Sequence, residues 1–497
     1  MRSAAQVLAL ATLGTLSACD RPPEPAPPAP PARTVLSDEL VVLVRPGPAT
    51  FHTSPNGEAS GFDADLARLF ATRKKLSVRF VPVANASELL QKVARHEAQL
   101  GAGGLYRPAR SDAGNAAAEP QVLWTSGYHH VDPVLIYNAD GFRPSGWKDL
   151  QGERVTYIEH TGLDDQLAKL RNAHPAVQWE GTDAPSHDAL VAQVSDGSRD
   201  YAIVPSNVAA LSRNVYLGFD VAFAVDGRRE LAWVVPPGEE TLRDEINTWF
   251  AEIRRNGTLD RLIERHFGHA NEVGRIDAGI LQERIRSVLP QFRQAFETAQ
   301  QATGIEWRLL AAVAYQESQW DPQATSETGV RGMMQLTEET ARHLGVVDRL
   351  DPKLSIQAAA RYLRTLKEKL PARIQEPDRT WLALAAFNIG LGHLEDARVL
   401  AQKLKLNPDL WADVKKALPL LAQPEHYETA KLGYARGGMP VAFVDRVRGY
   451  YDVLLAHQPL YQPRLQVSAT AKREPAAAAQ REAALSGPRE PGAVVLP

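Results

Sequence analysis

One carboxylate in this chain stands where acid–base chemistry is favoured. Trp307, Leu310, Ala314 and Glu317 are spaced three, four and three apart, which puts them on one face of a helix. Glu317 therefore belongs to an apolar stripe. Ionising a carboxyl group there costs desolvation energy, so its pKa is expected to rise. A Glu that keeps its proton near neutral pH can act as a general acid. A structural Glu satisfied by a neighbouring backbone group would carry the same spacing. Trp320-Asp321-Pro322 predicts the end of the helix, because proline disfavours helix in the residue before it. Gly329 and Gly332 then permit tight turns in the stretch leading to Met333-Met334-Gln335.

The elements around Glu317 read as helices. Glu283 to Gln301 is expected as one amphipathic helix with Ile285, Val288, Leu289, Phe292 and Phe296 on its stripe. Ile305–Glu317, Ser355–Leu370, Trp381–Asn388, His393–Leu404, Ala412–Leu418, Glu425–Arg436 and Phe443–Leu455 follow, which makes residues 276–457 an all-α domain. Residues 39–269 read differently. Strands at Leu40–Val44 and Val78–Val83 alternate with helices at Phe62–Ala71 and Leu89–His96. The pattern restarts after Trp147 with a strand at Arg154–Ile158, a helix at Asp164–Ala173 and a strand at Tyr201–Val204. Alternation of this kind predicts parallel α/β sheets in two similar lobes.

The Glu317 region resembles a known family. Glu317-Ser318, Trp320-Asp321-Pro322, Ser326, Gly329 and Gly332-Met333-Met334-Gln335 are similar to the first motifs of the lytic transglycosylase (SLT) domain, which has a goose-type lysozyme-like fold. Ala386-Phe387-Asn388-Ile389-Gly390 matches a third motif, with Phe where the family has Tyr. Val447-Arg448-Gly449-Tyr450-Tyr451 matches a fourth. The resemblance implies cleavage of the MurNAc–GlcNAc β-1,4 bond of peptidoglycan with closure of a 1,6-anhydro ring. It implies Glu317 as the catalytic acid and base. Ser318, Met334, Gln335, Asn388 and Tyr450 become candidates for contact with sugar; Ser318 also fits a helix cap, and Met334 and Tyr450 also fit the core. Thr337 stands where the family often has Met. Most glycosidases use two carboxylates, and only Glu317 stands in a motif. A lyase that consumes no water needs one. A glycan-binding protein without activity and a hydrolytic muramidase are the competing readings.

Residues 39–269 resemble the family-3 solute-binding proteins. Gly61-Phe62-Asp63-Ala64-Asp65-Leu66, Trp147-Lys148-Asp149-Leu150-Gln151-Gly152 and Asn256-Gly257-Thr258-Leu259-Asp260 carry the likeness. Arg110 matches the arginine that clamps a ligand carboxylate in that family; a surface ion pair suits it equally. Ser206 stands where the family places an acid for the ligand's amino group. The implied ligand is an amino acid, a muropeptide stem or none. Asp63 and Asp65 are expected to be structural.

Net charge is −3 and charged residues make up 23%, which calls for neither nucleic acid nor an anionic membrane surface as partner. No metal-ligand or phosphate-loop motif occurs, so no cofactor is expected; His129-His130 reads as a loop or pocket wall. The single cysteine, Cys19, rules out an intramolecular disulfide. It ends a short apolar run as Leu16-Ser17-Ala18-Cys19, which resembles a bacterial lipobox. Residues 1–19 then read as a lipoprotein signal with Cys19 lipidated. The implied location is the periplasmic side of the envelope, with the outer membrane favoured and Asp20 leaving the inner membrane open. Residues 20–38 read as a Pro-rich linker, of which Pro22–Pro31 spans roughly 30 Å as an extended spacer. The composition of residues 462–497 predicts a disordered tail.

Overall fold

The structure, a computed structural model, describes residues 38–53, 59–108, 121–225, 227–326 and 329–461. Cys19, most of the linker, Arg110 and the tail lie outside the described residues. Among the described residues, no helix is long and apolar enough to cross a membrane.

Residues 39–267 build two lobes, each around a five-strand sheet path. In the first lobe, strands Ser77–Pro82, Glu39–Val44 and Leu100–Tyr106 run parallel, and Arg229–Val235 pairs antiparallel with the last of them. In the second, Gln178–Thr182, Arg154–Ile158 and Tyr201–Pro205 run parallel, and Pro133–Asn138 and Phe219–Ala224 continue the sheet antiparallel. The sheets are thus mixed, where alternation of strands and helices predicted parallel ones. The reason is topological: the chain passes between lobes twice, at Asp132 and at 225–228, and each return strand enters its sheet against the others. Ser206 sits at the first crossing. Its backbone N–H donates to Asp132 O at 2.9 Å, and its Oγ accepts from Asp132 N at 3.1 Å. The lobes touch directly, with Tyr106 N donating to Thr161 O at 2.7 Å.

The motif residues of these lobes hold the fold. Asp63 is buried, and its carboxylate accepts from Tyr128 Oη at 2.8 Å, Trp233 Nε1 at 3.0 Å and Gly104 N at 3.0 Å. Burial pushes its pKa up to about 6 against these three donors. Asp65 meets His266 at 3.0 Å. Trp147 packs among Trp179, His174 and Phe223. Gly257, at φ 72°, makes the turn between helices Glu240–Arg255 and Thr258–Phe267. His129, expected in a loop or pocket wall, lies in a strand and stacks on Phe267 with centroids 5.5 Å apart.

Residues 275–457 are helical around one apolar core. The long helix expected over 283–301 is two, Arg275–Ser287 and Arg293–Thr303, joined by a 3₁₀ turn at Leu289–Gln291. Pro290 is the reason: its ring removes a backbone donor and clashes with the preceding turn. A helix expected over 425–436 is only Pro424–Tyr427. Beyond it, the Asp396 carboxylate accepts from Lys431 N and Leu432 N, giving that backbone partners outside a helix. Gly437 is pressed so closely on Leu418 O that an added Cβ would lie 1.7 Å from it.

Helix Thr258–Phe267 joins the two regions. Arg265 pairs with Asp378 at 2.6 Å, Glu264 with Lys415 at 2.7 Å, and Arg448 donates to Arg265 O at 2.6 Å. The second lobe also docks, through Gln282 Nε2 to Val215 O at 2.9 Å.

Candidate active site

Glu317 sits in the last turn of helix Trp307–Ser318. Every residue from Trp307 to Tyr315 is buried, so the helix runs through the middle of the core and surfaces only at its end. Its start is fixed by Glu306, whose carboxylate accepts from Arg308 N and Leu309 N. The helix packs on Gly438–His457, where the Tyr315 and Tyr450 rings meet edge-on at 4.9 Å.

The last turn leaves the Glu317 side chain half-buried. No hydrogen bond or ion pair reaches its carboxyl group among the described residues. Among the described residues, the influence on its ionisation is burial, which raises its pKa to about 8. Partial surface exposure and a strong burial effect are compatible: dense protein surrounds the group while one edge remains open. Burial thus favours the protonated carboxyl at a pH where an ordinary Glu is ionised. A proton donor with an open edge and no competing partner is the chemistry this geometry permits.

Backbone at the helix end is unusual. Gln319 at φ 54° and Trp320 at φ 62° are consecutive left-handed residues. The turn is held by Trp320, wholly buried, whose Nε1 donates back to Ala311 O at 2.8 Å and whose ring packs edge-on to Tyr315 at 4.9 Å. Arg284 Nε donates to Gln319 O at 2.9 Å from helix Arg275–Ser287. Asp321 accepts from Gln323 N at 2.8 Å, which caps the following turn.

The second motif forms a tight turn against this helix end. Ser318 Oγ lies 2.8 Å from Met333 O and 3.2 Å from Ala314 O, so its hydroxyl ties the helix to the turn. Gln335 Nε2 donates to Gly332 O at 2.9 Å and Ala324 O at 3.1 Å, leaving its side-chain oxygen free of these bonds. Gly332 has φ 80°, and a Cβ there would lie 1.9 Å from Arg349 O. Arg349 donates to Gly329 O and Leu336 O, closing the loop from outside. Met333 and Met334 are both buried in the core. Asn388 is exposed near the end of helix Asp378–Ile389, and Tyr450 is 8% exposed in helix Gly438–His457. Glu317, Ser318 and Gln335 are thus brought together around one turn. Asn388 and Tyr450 come from two other helices, both packed into the same core.

Beside the helix end lies a depression of about 390 Å³, walled by Arg284, Gln291 and Phe292 on one side and Ser318 to Pro322 on the other. Glu317 is not among the residues that wall it. Trp320, Arg284 and Arg349 support the site although no motif reasoning singled them out as supports. Trp320 carried a signal as the aromatic of Trp-Asp-Pro, whereas the two arginines act across 13 to 35 positions and carry none.

The sequence model for the transglycosylase SLT domain matches residues 294–409, and that for bacterial extracellular solute-binding proteins, family 3, matches residues 40–269. The first match ends before Tyr450. A Methylobacillus flagellatus protein named membrane-bound lytic murein transglycosylase F is 40% identical over 429 residues, covering 86% of this chain and 89% of that protein. A Pseudomonas putida protein of the same name is 41% identical over 417 residues, covering 84% of each. Among solved structures, an arginine-bound amino acid ABC transporter substrate-binding protein from Streptococcus pneumoniae aligns at 19% identity and TM-score 0.41, over 48% of this chain and 97% of that one.

Proposed function

Because this chain belongs to the family of membrane-bound lytic murein transglycosylases F, we propose that it is a lyase that cuts peptidoglycan strands and leaves 1,6-anhydromuramic ends, for turnover or remodelling of the wall. The observation that carries this reading is the Glu317 carboxyl, held protonated near neutral pH by burial alone. Glu317 gives its proton to the glycosidic oxygen between MurNAc and GlcNAc as the C1–O bond breaks. The substrate's N-acetyl group supports the cation developing at C1. The Glu317 carboxylate then takes the proton of the C6 hydroxyl, and O6 closes on C1. The proton donated in the first step is recovered in the second, and no water is consumed, so one carboxyl suffices.

Ser318 and Gln335 serve this step through the turn they hold against the helix end. Asn388, exposed near the end of its helix, and the free oxygen of Gln335 are the polar groups offered to sugar amides. Tyr450 acts from behind, packed on Tyr315; Met334 acts as floor. The domain boundaries follow the same reading, with residues 39–269 as a ligand-sensing region for an amino acid or muropeptide, through Arg110 by resemblance, and 276–457 as the catalytic one. Lipidation at Cys19 tethers the protein to the envelope, with the outer membrane favoured.

The test is digestion of purified sacculi by the full-length protein, followed by mass spectrometry of the released fragments. Anhydro ends are expected from the wild type and none from Glu317→Gln, which should still bind glycan. Reducing ends would make the protein a muramidase, and release by the Gln variant at near wild-type rate would remove Glu317 from its role.

A further inference from the structure

The loop before the last helix holds aromatic rings out to solvent. Tyr434 is 56% exposed, and among the described residues no other aromatic ring of the helical domain is as open. Tyr427, half-buried at the end of helix Pro424–Tyr427, meets it edge-on with centroids 5.8 Å apart. Leu432 and Met439, close by in sequence, are exposed too. The backbone beneath these side chains is fixed. Lys431 N and Leu432 N donate to the buried Asp396 carboxylate at 3.1 and 2.9 Å, and Ala435 N donates to Leu421 O at 3.1 Å. Gly437 presses on Leu418 O. An exposed ring forgoes the stabilisation that burial would bring. A cluster of apolar side chains kept in the open by a held loop marks a contact surface.

Helix packing puts this loop on the side of the catalytic acid. Helix Gly438–His457 runs antiparallel to helix Trp307–Ser318, since Tyr315 meets Tyr450 and Arg308 Nη1 donates to Gln458 O at 2.8 Å. Glu317 is two residues beyond Tyr315. At about 1.5 Å per residue, the twelve residues from Tyr450 back to Gly438 carry that helix about 15 Å past the level of Glu317. The loop with Tyr427 and Tyr434 leads into that start. It also touches the segment that follows Asn388. A Cβ added to Gly392, four residues past Asn388, would lie 2.4 Å from Leu432 Cδ1. A strand laid from Glu317 past Asn388 thus continues toward Tyr434.

We propose that Tyr434, backed by Tyr427, is a stacking platform for a sugar of the glycan strand remote from the bond being cut, and that it makes the enzyme prefer long strands to short ones. The proposal rests on the lyase reading and names which part of the substrate that site measures. A pyranose ring presents C–H groups on one face, and the face of an aromatic ring carries the partial negative charge that attracts them. Tyrosine offers a broad contact with only two side-chain torsions to freeze. The edge-on contact with Tyr427 holds the Tyr434 ring in place. A contact this far from the reacting atoms is the same in the ground state and in the transition state. It therefore lowers KM and leaves kcat alone.

The experiment is cleavage of peptide-free MurNAc–GlcNAc oligomers, a tetrasaccharide and a long strand, by the full-length protein. The wild type is expected to show a higher kcat/KM on the long strand. Tyr434→Ala should lower the ratio of long-strand to tetrasaccharide kcat/KM at least fivefold, through KM, and should melt with the wild type because the ring is exposed. Tyr434→Phe keeps the ring and should keep the ratio. Tyr427→Ala should lose a smaller factor. An unchanged ratio in Tyr434→Ala would overturn the platform and leave the rings to another partner. Equal losses on both oligomers would also overturn it, making Tyr434 a support of the fold. Cleavage of neither oligomer by the wild type would count against the lyase reading, and the platform is then read by binding alone. Calorimetry with the long strand should show at least a fivefold loss of affinity when Tyr434→Ala is added to Glu317→Gln, and no loss there would overturn the platform.

Discussion

Replacing Glu317 by Gln should stabilise the protein at alkaline pH while removing its activity. The Glu317 pKa rises from 4.5 in the unfolded chain to about 8 in the folded one. Between these values the folded state keeps a proton that the unfolded state has released, so stability falls as pH rises. Below about pH 4.5 both states are protonated and the penalty is absent; above about pH 8 it is complete. A shift of that size corresponds to at most about 5 kcal/mol, at roughly 1.4 kcal/mol per pKa unit. The open edge of the carboxyl screens part of it, leaving on the order of 2–3 kcal/mol. Gln has nearly the same shape and does not titrate. For a domain of this size each kcal/mol moves Tm by about 2–4 °C. Calorimetry of wild type and Glu317→Gln should therefore show transitions of the helical domain that nearly coincide near pH 5 and separate by about 5–10 °C near pH 8.5, the variant melting higher. Parallel curves, with a gap that does not change with pH, would refute the claim that burial holds a proton on Glu317.

Three other perturbations probe the surroundings. Gly332→Ala forces a side chain into left-handed backbone and against Arg349 O; it should cost about 2–4 kcal/mol in denaturant unfolding and sharply reduce cleavage. Asp63→Asn puts an amide N–H₂ among three donors; the unfolding midpoint of the two-lobed region should fall by the equivalent of about 1–3 kcal/mol, with sacculus cleavage retained. Arg284→Ala removes the donor to Gln319 O; kcat should fall by roughly fivefold, about 1 kcal/mol, with KM little changed. A rise in KM with kcat unchanged would instead place Arg284 in substrate binding.

Local pattern determined much of this protein. The spacing from Trp307 to Glu317 was enough to read a helix with a carboxyl on its apolar face, because helical periodicity is set by neighbours three and four residues away. Strand Arg154–Ile158 and helix Asp164–Ala173 occur where their residues predict them. Pro322 marked the end of the Glu317 helix, yet nothing in Gln319 or Trp320 announces left-handed backbone. That conformation is held by Ala311 and Arg284, which only packing brings to the helix end. Pro290 lies inside an amphipathic stripe that favours one helix, and its ring overrides the stripe in the fold. Residues 428–436 had a helical composition, but Asp396, more than 30 positions earlier, supplies partners for their backbone. Arg45 follows a strand and is 2% exposed. That burial exists only once residues of both lobes close over it. Residue spacing determines which groups can share a face. Which groups are buried, and against what partner, depends on contacts between residues far apart in the chain, and those only the tertiary structure decides.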